Sequence, residues 1–182
     1  MSDIRNSVVL VNEKDEPVGV MEKMEAHRKA LLHRAFSVFV FNRAGEMLLQ
    51  QRALSKYHSG GLWTNTCCSH PFPEEPVEDA AYRRLKEEMG FSTTLSKAFD
   101  FIYEAPFDNG LTEHEFDHVF IGQYEGPIHP DPAEVQDYCY RSMDEIESAM
   151  ESHPAKFTVW FRLAFPRVKE WVKENKFAKQ FA

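Results

Sequence analysis

Trp63-Thr64-Asn65-Thr66-Cys67-Cys68-Ser69-His70-Pro71 sets two adjacent cysteines, a histidine and an upstream tryptophan between one apolar run and one amphipathic helix. In a strand, alternate side chains share a face, so Cys68 and His70 point one way and Cys67 the other. The stretch then offers one thiol and one imidazole to a common pocket, and Pro71 ends it. A buried strand end would use the same residues differently, with cysteine as a small apolar filler and histidine hydrogen-bonded nearby. The flanking segments decide between these readings.

Upstream, His33 opens Arg34-Ala-Phe-Ser-Val-Phe-Val-Phe-Asn42, rich in aromatic and β-branched residues, which predicts a buried strand. Asn42 to Gly45 is a turn, and Glu46 to Arg52 returns as the second strand of a hairpin. An earlier hairpin joins Ser7–Asn12 to Val18–Met21 through the polar turn Glu13 to Pro17. His27 and His33 are six residues apart, too far for one helical turn, so they converge only through a bend or loop. Arg52 and Lys56 precede the Gly60-Gly61 turn. As ordinary surface they would be solvated; beside a metal pocket they could hold a phosphate, Arg as a bidentate partner and Lys as a point charge.

Downstream, Phe72-Pro-Glu-Glu-Pro76 predicts a loop, with Pro76 in the first turn of a helix. Val77, Ala80, Ala81, Leu85 and Met89 recur at helical spacing and Gly90 stops the helix. Its polar face carries Arg83, Arg84, Glu87 and Glu88, and Arg84 with Glu88 reads as a surface ion pair. Strand-like residues run from Ser92 to Ala105, Asp108-Asn-Gly110 signals a hairpin turn, and Glu113 to Gly122 is the returning strand. By a period of two, Glu113, Glu115 and Asp117 share one face, and His114, Phe116 and His118 the other. Carboxylates on a face that continues as apolar strand are costly unless a metal or cations compensate them, which favours a functional role for Glu113 and Glu115. His114 and His118 read as structural or surface residues. A short strand over Asp137–Arg141, a helix over Asp144–Met150 and a C-terminal helix over Phe157–Trp171, kinked at Pro166, complete the pattern. Cys139 reads as packing, and the charged tail from Lys173 to Ala182 as frayed.

Composition bounds the classes. A chain of 182 residues with 43% hydrophobic residues suits one soluble domain, residues 1–182, with a sizeable core. No run approaches a membrane span and the start is no secretory signal, so the expected location is cytoplasmic, with no membrane partner. Three cysteines, two of them neighbours, cannot build a disulfide framework, which fits a reducing compartment. A formal charge of −8 argues against a nucleic-acid partner, yet leaves room for a small anion held by a few Lys and Arg.

His27, His33, His70, Glu113 and Glu115 together suit a divalent metal of five or six coordination, such as Zn²⁺, Mn²⁺, Fe²⁺ or Mg²⁺. Cys68 would lie across the pocket from Glu115, so that a thiol and a metal-linked carboxylate flank a ligand as an acid–base pair.

Leu31-Leu-His-Arg-Ala-Phe-Ser-Val-Phe39, Leu48-Leu-Gln-Gln-Arg52, Thr64-Asn-Thr-Cys-Cys-Ser-His-Pro71 and Glu113-His-Glu115 resemble, in this order, the motifs of type 1 isopentenyl-diphosphate δ-isomerases. The resemblance spans about Val8 to Trp171. It implies an α+β Nudix fold, a mixed β-sheet sandwiched between α-helices, and interconversion of isopentenyl and dimethylallyl diphosphate. It implies Cys68 and Glu115 as the proton-transferring pair, Tyr103 supporting Glu115, and Trp160 lining the pocket. His27, His33, His70, Glu113 and Glu115 would hold one divalent metal (Mn²⁺, Zn²⁺ or Mg²⁺). Glu88 would help bind Mg²⁺ with the substrate diphosphate, and Lys23, Arg52, Lys56 and Arg84 would contact that diphosphate. The expected state is a monomer or weak homodimer.

The alternative is a Nudix pyrophosphohydrolase. Glu75, Arg83, Leu85, Glu87, Glu88, Gly90 and Phe91 match the hydrolase box, but its opening glycine is Ser69 and the glutamate after its arginine is Arg84. A cation in place of that carboxylate favours holding a diphosphate over splitting it.

Overall fold

The computed structural model describes residues 4 to 175. After a 3-10 turn, β1 (Ser7–Val11) and β2 (Pro17–Glu22) form the first hairpin, and α1 (Lys23–Arg28) follows. Next come β3 (His33–Phe41), β4 (Met47–Arg52), β5 (Trp63–Thr64), β6 (Cys67–Ser69) and α2 (Val77–Met89). The chain continues through β7 (Leu95–Pro106), β8 (Thr112–Gln123), β9 (Val135–Arg141), α3 (Met143–Ser152) and α4 (Val159–Glu174).

The strands of the described residues join in one mixed sheet of nine. β3 is its axis. Along one edge it pairs in parallel with β8, from His33 opposite Glu115 to Phe41 opposite Gln123. Its other edge meets β1 at His33, β6 over Phe36–Val38 and β4 at Phe41, all antiparallel. The β3–β4 hairpin is thus paired only at its root, Phe41 opposite Met47. Beyond the root β5 and β6 enter between the two strands, so the expected single strand through Trp63–Pro71 is two short ones with a break at Asn65-Thr66.

That break is where the sheet is stitched. Thr66 Oγ1 donates to the Leu48 carbonyl and accepts from the Val40 amide. Asn65 Nδ2 donates to the carbonyls of Val38 and Cys67, and Gln50 Nε2 to that of Thr66. These side chains replace the ladder bonds that β3 and β4 lose on separating, as buried backbone groups require.

Helices cover both faces. Ala80, Ala81, Leu85 and Met89 of α2 pack on Phe36, Val38, Val40, Leu48 and Cys67. On the other face Trp160, Phe161, Ala164, Phe165 and Val168 of α4, with Ile146 of α3, pack on Phe39, Phe41, Met47, Val119 and Ile121. Alternation along β3 feeds both cores, which is why its sequence is apolar throughout. Several boundaries differ from expectation. Pro76 is the N-cap of α2 rather than a first-turn residue, while Gly90 takes the left-handed C-cap at φ 75°. A Cβ at Gly90 would lie 2.2 Å from the His129 carbonyl oxygen, so only glycine fits. α4 begins two residues later than predicted and runs continuously through Pro166 to Glu174. Of the charged tail, residues 176–182 lie outside the described ones. No described helix is long and apolar enough to cross a membrane.

Candidate active site and metal centre

Where β3, β6 and β8 run side by side, their shared face opens into a cavity of about 500 Å³. Cys68 of β6 lies opposite Ser37 on β3, and Glu115 of β8 opposite His33, so sheet register puts thiol and carboxylate on one face, flanking β3, rather than across the pocket as expected. Cys67 turns the other way into the α2 core, as strand alternation requires. Trp160 from the first turn of α4 and Tyr103 from β7 complete this lining.

One end of the cavity gathers imidazoles and carboxylates. α1 ends at Lys29, and Ala30 at φ 52° turns the chain back, bringing the His27 and His33 rings to 4.8 Å between centroids. His70 lies 5.0 Å from His33 by the same measure, and its Nε2 is 2.9 Å from Glu115 Oε1. The Tyr103 hydroxyl reaches Glu113 Oε2 at 2.8 Å and Glu115 Oε2 at 2.6 Å, tying the two carboxylates together. His27, His33, His70 and Glu115 present one donor atom each, all within 4.8 Å of one another. Nδ1 of His27 is held by the Lys23 carbonyl and Nδ1 of His33 by that of Leu31, which turns each Nε2 inward. Both Nε2 atoms are buried without a hydrogen-bond partner. Inward lone pairs without a proton donor, beside two carboxylates, are what a divalent cation satisfies, so these residues fit a metal.

The charge states of His27, His70 and Glu115 agree with ligation; His33 departs from them, its burial outweighed by the neighbouring Glu115 carboxylate, which raises its pKa. Burial pushes His27 and His70 down to about 4, so both imidazoles are neutral at neutral pH. Burial opposes ionisation of Glu115, but the neighbouring His33 and the hydrogen-bonded His70 outweigh it and hold the carboxyl well below its usual range. Burial moves the Cys68 thiol the other way, upward, only partly offset by Arg52. A neutral thiol and an ionised carboxylate therefore share the cavity.

The other end is cationic. Arg52 closes β4, 6% exposed, with its guanidinium carbon 5.2 Å from the Trp160 ring centre and Nη1 4.0 Å from Cys68 Sγ. It is no solvated surface cation. Lys56 pairs with Glu134, and Arg84 Nη2 lies 2.6 Å from Glu88 Oε1 and 3.0 Å from Glu134 Oε1. Glu88 is 3% exposed and also accepts from Gln50 Nε2 at 3.0 Å, so the expected surface pair is instead a buried one facing the cavity. Lys23 joins this rim, its ammonium 4.9 Å from the Tyr57 ring, and burial and the neighbouring Lys56 lower its pKa. Every candidate named from the sequence lines the cavity except His27 and His33, which lie fully buried behind it. Asp117 accepts from Ser37 Oγ outside the cavity lining, and burial pushes its carboxyl pKa well up. His114 and His118 bind the Ala30 carbonyl and the Asp15 and Asp100 carboxylates outside the cavity.

Several lining residues went unmarked in the sequence, among them His58, Tyr57 and Glu134. His58, in the loop after β4, sets its Nε2 2.9 Å from Glu113 Oε1; Tyr57 packs edge-on to His27; Glu134 bridges Lys56 and Arg84. Their loops carry no periodic pattern, and only the Tyr-His pair between Lys56 and Gly60-Gly61 hinted at them.

A model of the NUDIX domain matches residues 31–161. The isopentenyl-diphosphate Delta-isomerase of Pectobacterium atrosepticum is 52% identical over 164 residues, covering 90% of this chain and 92% of that relative. That of Burkholderia multivorans is 49% identical over 169 residues, 90% and 96% respectively. Among solved structures, a MutT protein from Methanosarcina mazei superposes with a TM-score of 0.65 at 20% identity, over 80% of this chain and 96% of its own. A Deinococcus radiodurans crystal structure does so at 0.68 and 19%, over 80% and 89%; these two likenesses speak to fold alone. A thiol and a carboxylate on one wall of a Nudix fold, with half the sequence shared along nearly the whole chain, place the protein in the family of isopentenyl-diphosphate Delta-isomerases.

Proposed function

We propose that the chain interconverts isopentenyl and dimethylallyl diphosphate, using Cys68 and Glu115 to move the protons. The observation that carries this reading is the Cys68 thiol and the Glu115 carboxylate lining one cavity together with the Trp160 indole. From isopentenyl diphosphate, the Cys68 thiol gives its proton to C4, breaking the C3–C4 double bond and leaving a tertiary cation at C3. Glu115 takes a proton from C2, and the C2–C3 double bond forms. In the reverse direction the roles exchange, and proton exchange with solvent resets the pair. Tyr103 holds the Glu115 carboxylate in place by its hydrogen bond. The indole face of Trp160 attracts the cation without capturing it, as it attracts the Arg52 guanidinium in the free protein.

Lys23, Arg52, Lys56 and Arg84 bind the diphosphate, and Glu88 helps hold a Mg²⁺ that arrives with it. His27, His33, His70, Glu113 and Glu115 would hold a second divalent metal (Mn²⁺, Zn²⁺ or Mg²⁺), whose charge would favour the ionised form of Glu115. The partner is a small diphosphate rather than nucleic acid or membrane, and the enzyme acts in the cytoplasm as a monomer or weak homodimer. The free, unpaired cysteines support a reducing compartment. Incubation with isopentenyl diphosphate and Mg²⁺ tests the reading: dimethylallyl diphosphate should accumulate without phosphate or pyrophosphate. Release of either as the main product would overturn it in favour of hydrolysis.

A further inference from the structure

His58 is 5% exposed, its ring stacked on Phe107 at 4.6 Å and 9° and edge-on to Trp160 at 5.7 Å. Packing explains a ring here, but phenylalanine would supply one without burying ring nitrogens, which are costly when unpaired. The two nitrogens of His58 have different surroundings. Nδ1 lies 3.2 Å from Ser59 Oγ. Nε2 is buried and makes no hydrogen bond, although Glu113 Oε1 is only 2.9 Å away. Two polar atoms that approach so closely without aligning face a shared space more than each other.

His27 Nε2 opens on the same space: the donor atoms of His27, His58 and Glu113 all lie within 4.8 Å of one another. His27 belongs equally to the group with His33, His70 and Glu115. It has one nitrogen to give, because Nδ1 is 2.7 Å from the Lys23 carbonyl oxygen. One imidazole lone pair holds one ion. The two groups are separate clusters joined at His27, so an ion held there would draw them into one shell, and the Tyr103 hydroxyl already ties their carboxylates, Glu113 and Glu115, together.

We propose that His58 Nε2 is a sixth ligand of this metal, completing a shell of four imidazoles and two carboxylates. The proposal rests on reading the other five residues as ligands. A nitrogen-rich shell selects a borderline transition ion over Mg²⁺, which prefers oxygen. Six protein ligands also leave no position for an activated water, in keeping with proton transfer by side chains rather than hydrolysis at this ion.

The test compares the wild type with His58→Phe, His58→Gln and His70→Ala. Each is stripped of metal and titrated with Co²⁺ and Zn²⁺ against a chromophoric chelator, with the Co²⁺ absorption spectrum recorded. One ion per chain should bind the wild type at this centre. His58→Phe, which keeps the ring stack on Phe107, should weaken it about tenfold or more and shift the Co²⁺ bands, as loss of one nitrogen requires. His58→Gln, which keeps a polar side chain should the apolar ring misfold, should also bind more weakly. Unchanged affinity and bands in a folded His58→Phe, with the ion lost in His70→Ala, would make His58 packing and leave the five-ligand site standing. Two ions at the centre would also overturn the single shell. Unaltered binding in His70→Ala would overturn the underlying metal reading itself.

Discussion

At the scale of residues, Cys67 and Cys68 are chemically identical neighbours separated by the pleat of one strand. Cys68→Ala should lower turnover by about 10²–10⁴-fold, the range for general acid–base groups, while the protein stays folded. Cys67→Ala should leave turnover near wild type and instead lower stability, because Cys67 fills the α2 core without exposure. Equal kinetic losses from the two would contradict the assignment of faces. Trp160 separates by the nature of its substitute. Phe keeps an aromatic face and should retain much of the turnover; Leu keeps only bulk and should lose most of it, in kcat more than in KM. Matching kinetics for the two variants would reduce Trp160 to packing. The opposed faces of Cys67 and Cys68 were legible from alternation alone, as were Glu113 and Glu115. His58 was not, because a single histidine in a Gly-rich loop has no period, and only the folded loop brings it against Glu113.

At the scale of elements, Asn65-Thr66 joins two strands that their own hairpin leaves apart. Thr66→Val keeps the shape but strips the hydroxyl that serves both the Val40 amide and the Leu48 carbonyl. A stability loss of about 1–3 kcal/mol is expected by urea titration, with lower activity because Cys68 hangs on the same stitch. No change in midpoint would mean the two backbone groups find other partners. Periodicity located β3, β4, α2 and the β7–β8 hairpin, since each repeats its pattern over several turns or pleats. It put Glu88 on a solvated face because helical period sees only its own helix; Gln50 from β4 and the Glu134 loop cover that face. The split of the central stretch into β5 and β6 was hidden for a similar reason: side chains, not a breaker residue, make the break.

At the scale of the whole molecule, the metal centre couples stability to pH. His27 and His70 have pKa values depressed to about 4 from an ordinary 6.5, so the folded metal-free protein binds fewer protons than the unfolded chain between those values. Their contribution to stability is therefore present above about 6.5 and lost as pH falls towards 4. Melting temperatures of the stripped protein should fall across that window, and His70→Gln should flatten part of the slope. A flat profile in the wild type would mean these imidazoles are charged in the fold. The fold class was legible because both cores are built on one apolar strand, and much of the site was legible through its motifs. The cavity itself was not, since it arises where segments far apart in the chain meet.

This cavity moves protons within a diphosphate ester without cutting it. Proton and phosphorus NMR of isopentenyl diphosphate with the metal-loaded enzyme and Mg²⁺ in D₂O tests that directly. Dimethylallyl diphosphate should appear with deuterium in the methyl group formed at C4, while the phosphorus spectrum remains that of an intact diphosphate ester. Inorganic phosphate or pyrophosphate appearing while the double bond stays in place would contradict the claim.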